Sequence, residues 1–201
     1  MRNTERRYLK TELRAKSTEA GGRVIEGYAA KFNVQSEELC DDDNPDVVFR
    51  EVLAPGCFDL DGSPDVICCV DHDESRFLGR TASGTLTIAV DDVGLRFECR
   101  AADTTLGRDT CELIERGDIK GNSFAMLVLE EEWSETDDGT PLRTIKRCLI
   151  DDVSVVLRPA YPNTELAVRS LSKARAARRP QATPNSDAAR LALAEREIFA
   201  D

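Results

Sequence analysis

The sequence predicts a β-rich α+β fold, and three observations carry that reading. Apolar residues in the first 168 positions fall mostly into short runs of strand length rather than long helical periodicities. Two pairs of such runs flank tight polar turns, as hairpins do. One segment of this region, 104–117, carries helix start and stop signals at helical spacing.

Taken in order, RRYLKTELRA (6–15) mixes polar and apolar positions and is read as an opening strand. RVIEGYAAKF (23–32) follows the turn pair Gly21-Gly22 and is a second. The acidic SEELCDDDNPD (36–46) is read as an exposed loop without the ligand spacing of an EF-hand. VVFREVLAPGCF (47–58) gives a short strand that breaks at Pro55-Gly56. DVICCV (65–70) is apolar almost throughout, as expected of a strand buried on both faces, and it runs into the chain's single histidine, His72. TLTIAVDDVGLRFECRA (85–101) reads as a hairpin around Asp-Asp-Val-Gly. In TTLGRDTCELIERG (104–117) a Thr start, apolar Leu106, Cys111 and Ile114, and a closing Gly117 mark the helix. SFAMLVLEEEW (123–133) and RTIKRCLIDDVSVVLRPA (143–160) flank SETDDGTP as a longer hairpin.

Past Arg169 the composition turns to Ala, Arg, Ser and Pro, so the chain divides into a folded domain, 1–168, and a flexible basic segment, 169–201. A short amphipathic helix is expected at 187–200. The segment holds seven basic and four acidic residues, +3, so with a total of −11 the first 168 residues carry −14. An acidic body argues against nucleic-acid binding as the main task. No stretch approaches the roughly 20 apolar residues that cross a bilayer. The start, MRNTERRYLKTELRAKS, lacks the apolar region of a secretory signal, so a cytosolic protein without membrane partners is expected. The seven cysteines fit that compartment: the count is odd, Cys68 and Cys69 are adjacent, and no C-x-x-C pair occurs. With one histidine, a Cys/His zinc site has little to draw on, and no metal or cofactor is expected.

Three segments could carry chemistry. His72 stands where a buried strand surfaces, and an imidazole there can serve as general base, although a lone histidine is also commonly a surface partner of a carboxylate. Ser123 follows a turn (Gly117, Gly121, Asn122) and starts an apolar strand, so it is either a nucleophile or a turn residue. GNSFA is similar to the G-x-S-x-G elbow, but Ala125 replaces the last glycine, and hydrolases of that class place their histidine after the serine. That class is disfavoured. Asp151 and Asp152 interrupt an apolar strand, and alternation sends them to opposite faces, so one can point inward to pair with an imidazole. A cysteine hydrolase using Cys69 or Cys111 is a weaker reading. Cys69 lies three residues before His72 on a strand and is expected to project to the opposite face.

The order of GYAAKFN, EVLAPGCFD, VDHD with LGR, VGLRFECR, IERGDIKGNSFAM and IDDVSVVLRPAYPNTEL resembles the prohead (procapsid maturation) serine proteases of tailed bacteriophages, related in fold to herpesvirus assemblin. The resemblance runs from about Gly27 to Val168. It implies an assemblin-like β-barrel core with a few surrounding helices. It places the catalytic serine, which follows G-x-I-x-x-x-S, at Ser123, and the histidine at His72. The acidic third member falls on Asp152, where the herpesvirus relatives carry a second histidine. Arg158 falls where assemblin-like enzymes place an oxyanion-stabilising arginine. The resemblance further implies major capsid protein and scaffold segments as substrates, self-cleavage in the 169–201 segment, a possible homodimer, and a location inside the procapsid in the host cytoplasm. The alternative is a non-enzymatic assembly or scaffolding factor with the same fold.

Overall fold

The computed structural model describes residues 4–9, 13–17, 22–40 and 48–157, all within the unit 1–168. Arg158, the 169–201 segment and the helix expected at 187–200 lie outside the described residues. Eleven strands and one helix are found among those described. The first sheet takes β1 (Glu5–Leu9), β10 (Gly121–Glu135), β11 (Pro141–Val156), β5 (Val48–Leu53) and β4 (Leu39–Cys40) in that order. β6 (Ile67–Val70) also pairs with β11, and β7 (Asp73–Arg80) pairs with β6. The second sheet runs β2 (Arg14–Ser17), β3 (Arg23–Lys31), β9 (Gly94–Ala101), β8 (Leu86–Val90). Helix α1 spans Thr105–Glu115.

Both hairpins form where expected, β8–β9 around Asp91 and β10–β11 around Thr136–Thr140. The Asp91 carboxylate accepts from the main-chain N–H groups of Val93 and Gly94 at 2.8 and 3.0 Å, which closes the tighter turn. The helix starts as its sequence dictates, with Thr104 Oγ1 accepting from the Gly107 N–H at 3.1 Å. It stops at Gly117, whose φ of +79° is the left-handed cap that glycine adopts without a Cβ penalty. Its buried Cys111 and Ile114 join one apolar core with Ile25, Leu95 and Phe97 of the second sheet and Phe124, Ile150, Val153 and Val155 of the first.

Two of the segment readings change, and one strand forms where none was expected. RRYLKTELRA is not one strand: β1 and β2 belong to different sheets. The acidic segment is not wholly an exposed loop, because Leu39 is buried in β4, paired with β5. β7 is a strand that the polar DESRFLGR conceals, five of its first residues being exposed. Strand pairing closes no barrel among the described residues, and a single helix is found there rather than a few. The architecture is a strand-rich α+β fold.

Strand β1 is fastened by a buried ionic cluster. Arg7 donates to both Glu51 oxygens at 2.7 and 2.8 Å and to Glu5 at 2.6 Å. Arg143, 2% exposed, donates to both Glu5 oxygens at 2.6 and 2.9 Å, to Glu51 at 3.0 Å and to Glu131 at 2.6 Å. Two guanidiniums thus pair with three carboxylates, Glu5, Glu51 and Glu131, satisfying groups whose desolvation would otherwise be costly. Arg143→Leu is expected to destabilise the fold by about 3–5 kcal/mol, because two buried carboxylates are left sharing Arg7. Burial pushes the Glu5 carboxyl up, but Arg143 and Arg7 outweigh it and hold it below its ordinary 4.5. A lowered folded-state value means that this contribution is complete above the ordinary carboxylate range and is lost as pH falls through the depressed value. Urea unfolding midpoints measured from pH 7 downward check both: a wild-type decline below about pH 4.5 that is blunted in the Arg143 variant.

Candidate active site

Paired residues on neighbouring strands share a face of the sheet, so strand register decides what meets what. Tyr8 of β1, Ser123 of β10, Ser154 of β11 and Cys69 of β6 are successive partners in one row. Asp152 stands two residues before Ser154 and therefore on the same face. Between Ala125 and Met126 the β10–β11 register shifts: Ala125 pairs with Asp152 and Met126 with Ile150, so Asp151 is an extra residue in a bulge. Of the two acids, Asp152 is the buried one.

Ser123 is placed by packing on both sides. The preceding Asn122 is fully buried and donates from Nδ2 to the Tyr28 carbonyl of β3 at 2.7 Å, tying the start of β10 to the second sheet. Gly121 admits the Tyr8 ring: a Cβ there would stand 2.4 Å from a ring carbon. A larger residue would push β1 away from the serine.

His72 arrives on the turn between β6 and β7. Val70 pairs with Asp73, leaving a two-residue loop in which Asp71 and His72 have φ of 55° and 57°. Asn-Gly suits such a primed turn, and non-glycine residues there are strained by about 1 kcal/mol or more. Strand β11 holds the strain: Asp71 N–H donates to the Val155 carbonyl at 2.9 Å, and Leu157 N–H donates to Asp71 Oδ1 at 3.3 Å. Asp71 also accepts from Arg76 at 2.8 Å, so its carboxylate serves the turn.

The three expected residues meet. His72 Nε2 lies 2.6 Å from Ser123 Oγ, and Nδ1 lies 2.7 Å from Asp152 Oδ1. An ionised carboxylate only accepts, so Nδ1 carries the proton and Nε2 is free to accept the serine's. The imidazole is 2% exposed, Ser123 5% and Asp152 8%, so these bonds are shielded from water. The constellation can therefore deprotonate a hydroxyl as it attacks a carbonyl and stabilise the resulting imidazolium. A second acceptor, the Arg7 carbonyl, stands 2.9 Å from Ser123 Oγ. Arg158 lies outside the described residues, so its expected place beside the serine has no structural description.

One member of the surroundings escaped the sequence reading. Ser154 Oγ donates to Asp152 Oδ1 at 2.9 Å, accepts from the His72 N–H at 3.2 Å and lies 3.0 Å from Cys69 Sγ. The VSVV alternation that put Asp152 inward also puts Ser154 inward, and that was the available signal. Cys69 is a correction: its side chain reaches the network around the triad instead of the opposite face, because the left-handed turn after Val70 folds His72 back over β6. Burial pushes the Cys69 and Cys111 thiols up to about 11 each, so both stay protonated at neutral pH, which counts against a cysteine nucleophile. Cys57, Cys68, Cys69, Cys99, Cys111 and Cys148 are all free and buried. Among the described residues no group of three or more His, Cys, Asp or Glu is placed to hold a metal, and no helix is long and apolar enough to cross a membrane.

The model of a family described as caudovirus prohead serine protease matches residues 10–178. The chain belongs to that family. It is a serine protease of the phage prohead type. Among solved structures, the capsid assembly protease gp21 of bacteriophage T4 is similar at 13% identity, covering 77% of this chain and 99% of that one, with a TM-score of 0.40. Among curated proteins there is no match. In the family match, the prohead protease region takes in β2 through β11 and hence Ser123, His72 and Asp152.

Proposed function

We propose that this prohead protease is an endopeptidase that cleaves capsid precursor and scaffold segments during procapsid maturation, with Ser123, His72 and Asp152 as its triad. The observation that carries the proposal is the unbroken hydrogen-bond chain Ser123 Oγ–His72 Nε2 and His72 Nδ1–Asp152 Oδ1 at 2.6 and 2.7 Å. His72 takes the hydroxyl proton as Ser123 Oγ bonds to the scissile carbonyl carbon, and Asp152 stabilises the imidazolium. The tetrahedral intermediate collapses as the C–N bond breaks, and His72 passes its proton to the leaving amine. Water then attacks the acyl-enzyme, giving a proton to His72, and the acyl C–Oγ bond breaks as His72 returns that proton to Ser123, releasing the acid product. Arg158 is proposed to help hold the oxyanion, a contribution of about 3–4 kcal/mol for a well-placed donor.

The same reading covers the rest of the chain. The basic segment after residue 169 is proposed as a site of self-cleavage, the enzyme as a possible homodimer, and its place of action as the procapsid in the host cytoplasm. The apolar core shared by the two sheets supports reading them as the barrel core of an assemblin-like fold. A scaffolding factor would need none of the side chains of Ser123, His72 and Asp152, which favours the enzyme over that alternative.

Co-expression with the cognate coat precursor, followed by intact-mass measurement, tests the proposal. Processed coat protein and loss of mass from the C-terminal side of this chain are expected. Coat protein of full length beside the intact enzyme would favour the scaffolding role.

A further inference from the structure

We infer that Ser154 is a positioning residue of the same site, fixing both ends of the His72–Asp152 pair. The inference rests on the triad reading above. The directions of the hydrogen bonds lead to it. Asp152 Oδ1 can only accept, so the single Ser154 hydroxyl proton goes to it at 2.9 Å. The thiol of Cys69, 3.0 Å away, must then donate to Ser154 Oγ, as must the His72 N–H at 3.2 Å. Ser154 is 1% exposed, so no water substitutes for these partners.

Two consequences follow. Ser154 and His72 Nδ1 bond the same carboxylate oxygen, so Ser154 draws off part of the charge that Oδ1 offers the imidazole. It also accepts the main-chain N–H of His72 at a strained φ of 57°, so one hydroxyl sets where the turn sits relative to the acid. Neither role touches the substrate. Both act through His72.

The test is the rate at which Ser123 of the purified full chain is labelled by a small fluorophosphonate, followed by intact mass across pH. Ser154→Ala is expected to label about 10- to 100-fold more slowly, the usual cost of losing a hydrogen bond to a charged group. Its acid-side midpoint is expected at higher pH, because an Asp152 relieved of Ser154 binds the imidazolium proton more strongly. Ser154→Thr, which keeps the hydroxyl, should restore rate and midpoint. If the alanine variant does not fold, Ser154→Cys keeps the shape with a weaker donor and should show the same changes on a smaller scale. A folded Ala or Cys variant matching the wild type in rate and midpoint overturns the role of Ser154 alone. So does a folded Thr variant that restores neither. A wild-type chain that takes no label at Ser123 overturns this role and the triad together.

Discussion

Ser123→Ala is expected to slow coat-precursor cleavage about 10⁶-fold, the scale on which loss of a triad serine is felt. The magnitude is large because the change removes the atom that bonds to the substrate, leaving His72 with no hydroxyl to deprotonate. The fold should survive. The hydroxyl's other partner is the Arg7 carbonyl, and one lost hydrogen bond of that kind costs about 1 kcal/mol. Co-expression with the coat precursor and intact-mass analysis gives the readout. Processed coat in the presence of the alanine enzyme would end the serine mechanism at this residue.

Asp152→Ala is expected to lower the rate about 10⁴-fold, less than the serine variant because His72 can still accept a proton. What is lost is the Nδ1 bond that selects the tautomer and the charge that stabilises the imidazolium. Asp151→Ala is the control, since the bulge carries that residue off the pairing and His72 Nδ1 bonds Asp152 instead. It should cleave at close to the wild-type rate. A large loss from Asp151→Ala with activity retained in Asp152→Ala would reassign the third member.

Much of this was legible because each element had a local cause. Thr104 and Gly117 bracket the helix, Asp91 closes its turn, and Pro55-Gly56 ends β5, all effects of nearest neighbours. The order of His72, Ser123 and the acidic strand could be read through a resemblance that depends on order and spacing alone. The concealed features have non-local causes. β7 is mostly exposed on its polar residues and becomes a strand by pairing with β6, a contact that alternation in DESRFLGR does not announce. The split of RRYLKTELRA depends on β1 reaching β10 more than a hundred residues away. Glu5, Arg7, Glu51 and Arg143 look like ordinary surface charges in sequence and are buried because three strands, β1, β5 and β11, bring them together. Alternation alone sends Cys69 to the opposite face because it ignores a left-handed turn, and in sequence Ser154 looks like any strand serine.

Labelling by a fluorophosphonate tests the central claim most directly, because it reports the nucleophile and its activation in one step. The wild-type chain is expected to gain one adduct, located by peptide mapping at Ser123, and His72→Ala is expected to abolish it. An adduct on any other residue, or labelling of Ser123 that persists undiminished without His72, would contradict the Ser123–His72–Asp152 mechanism.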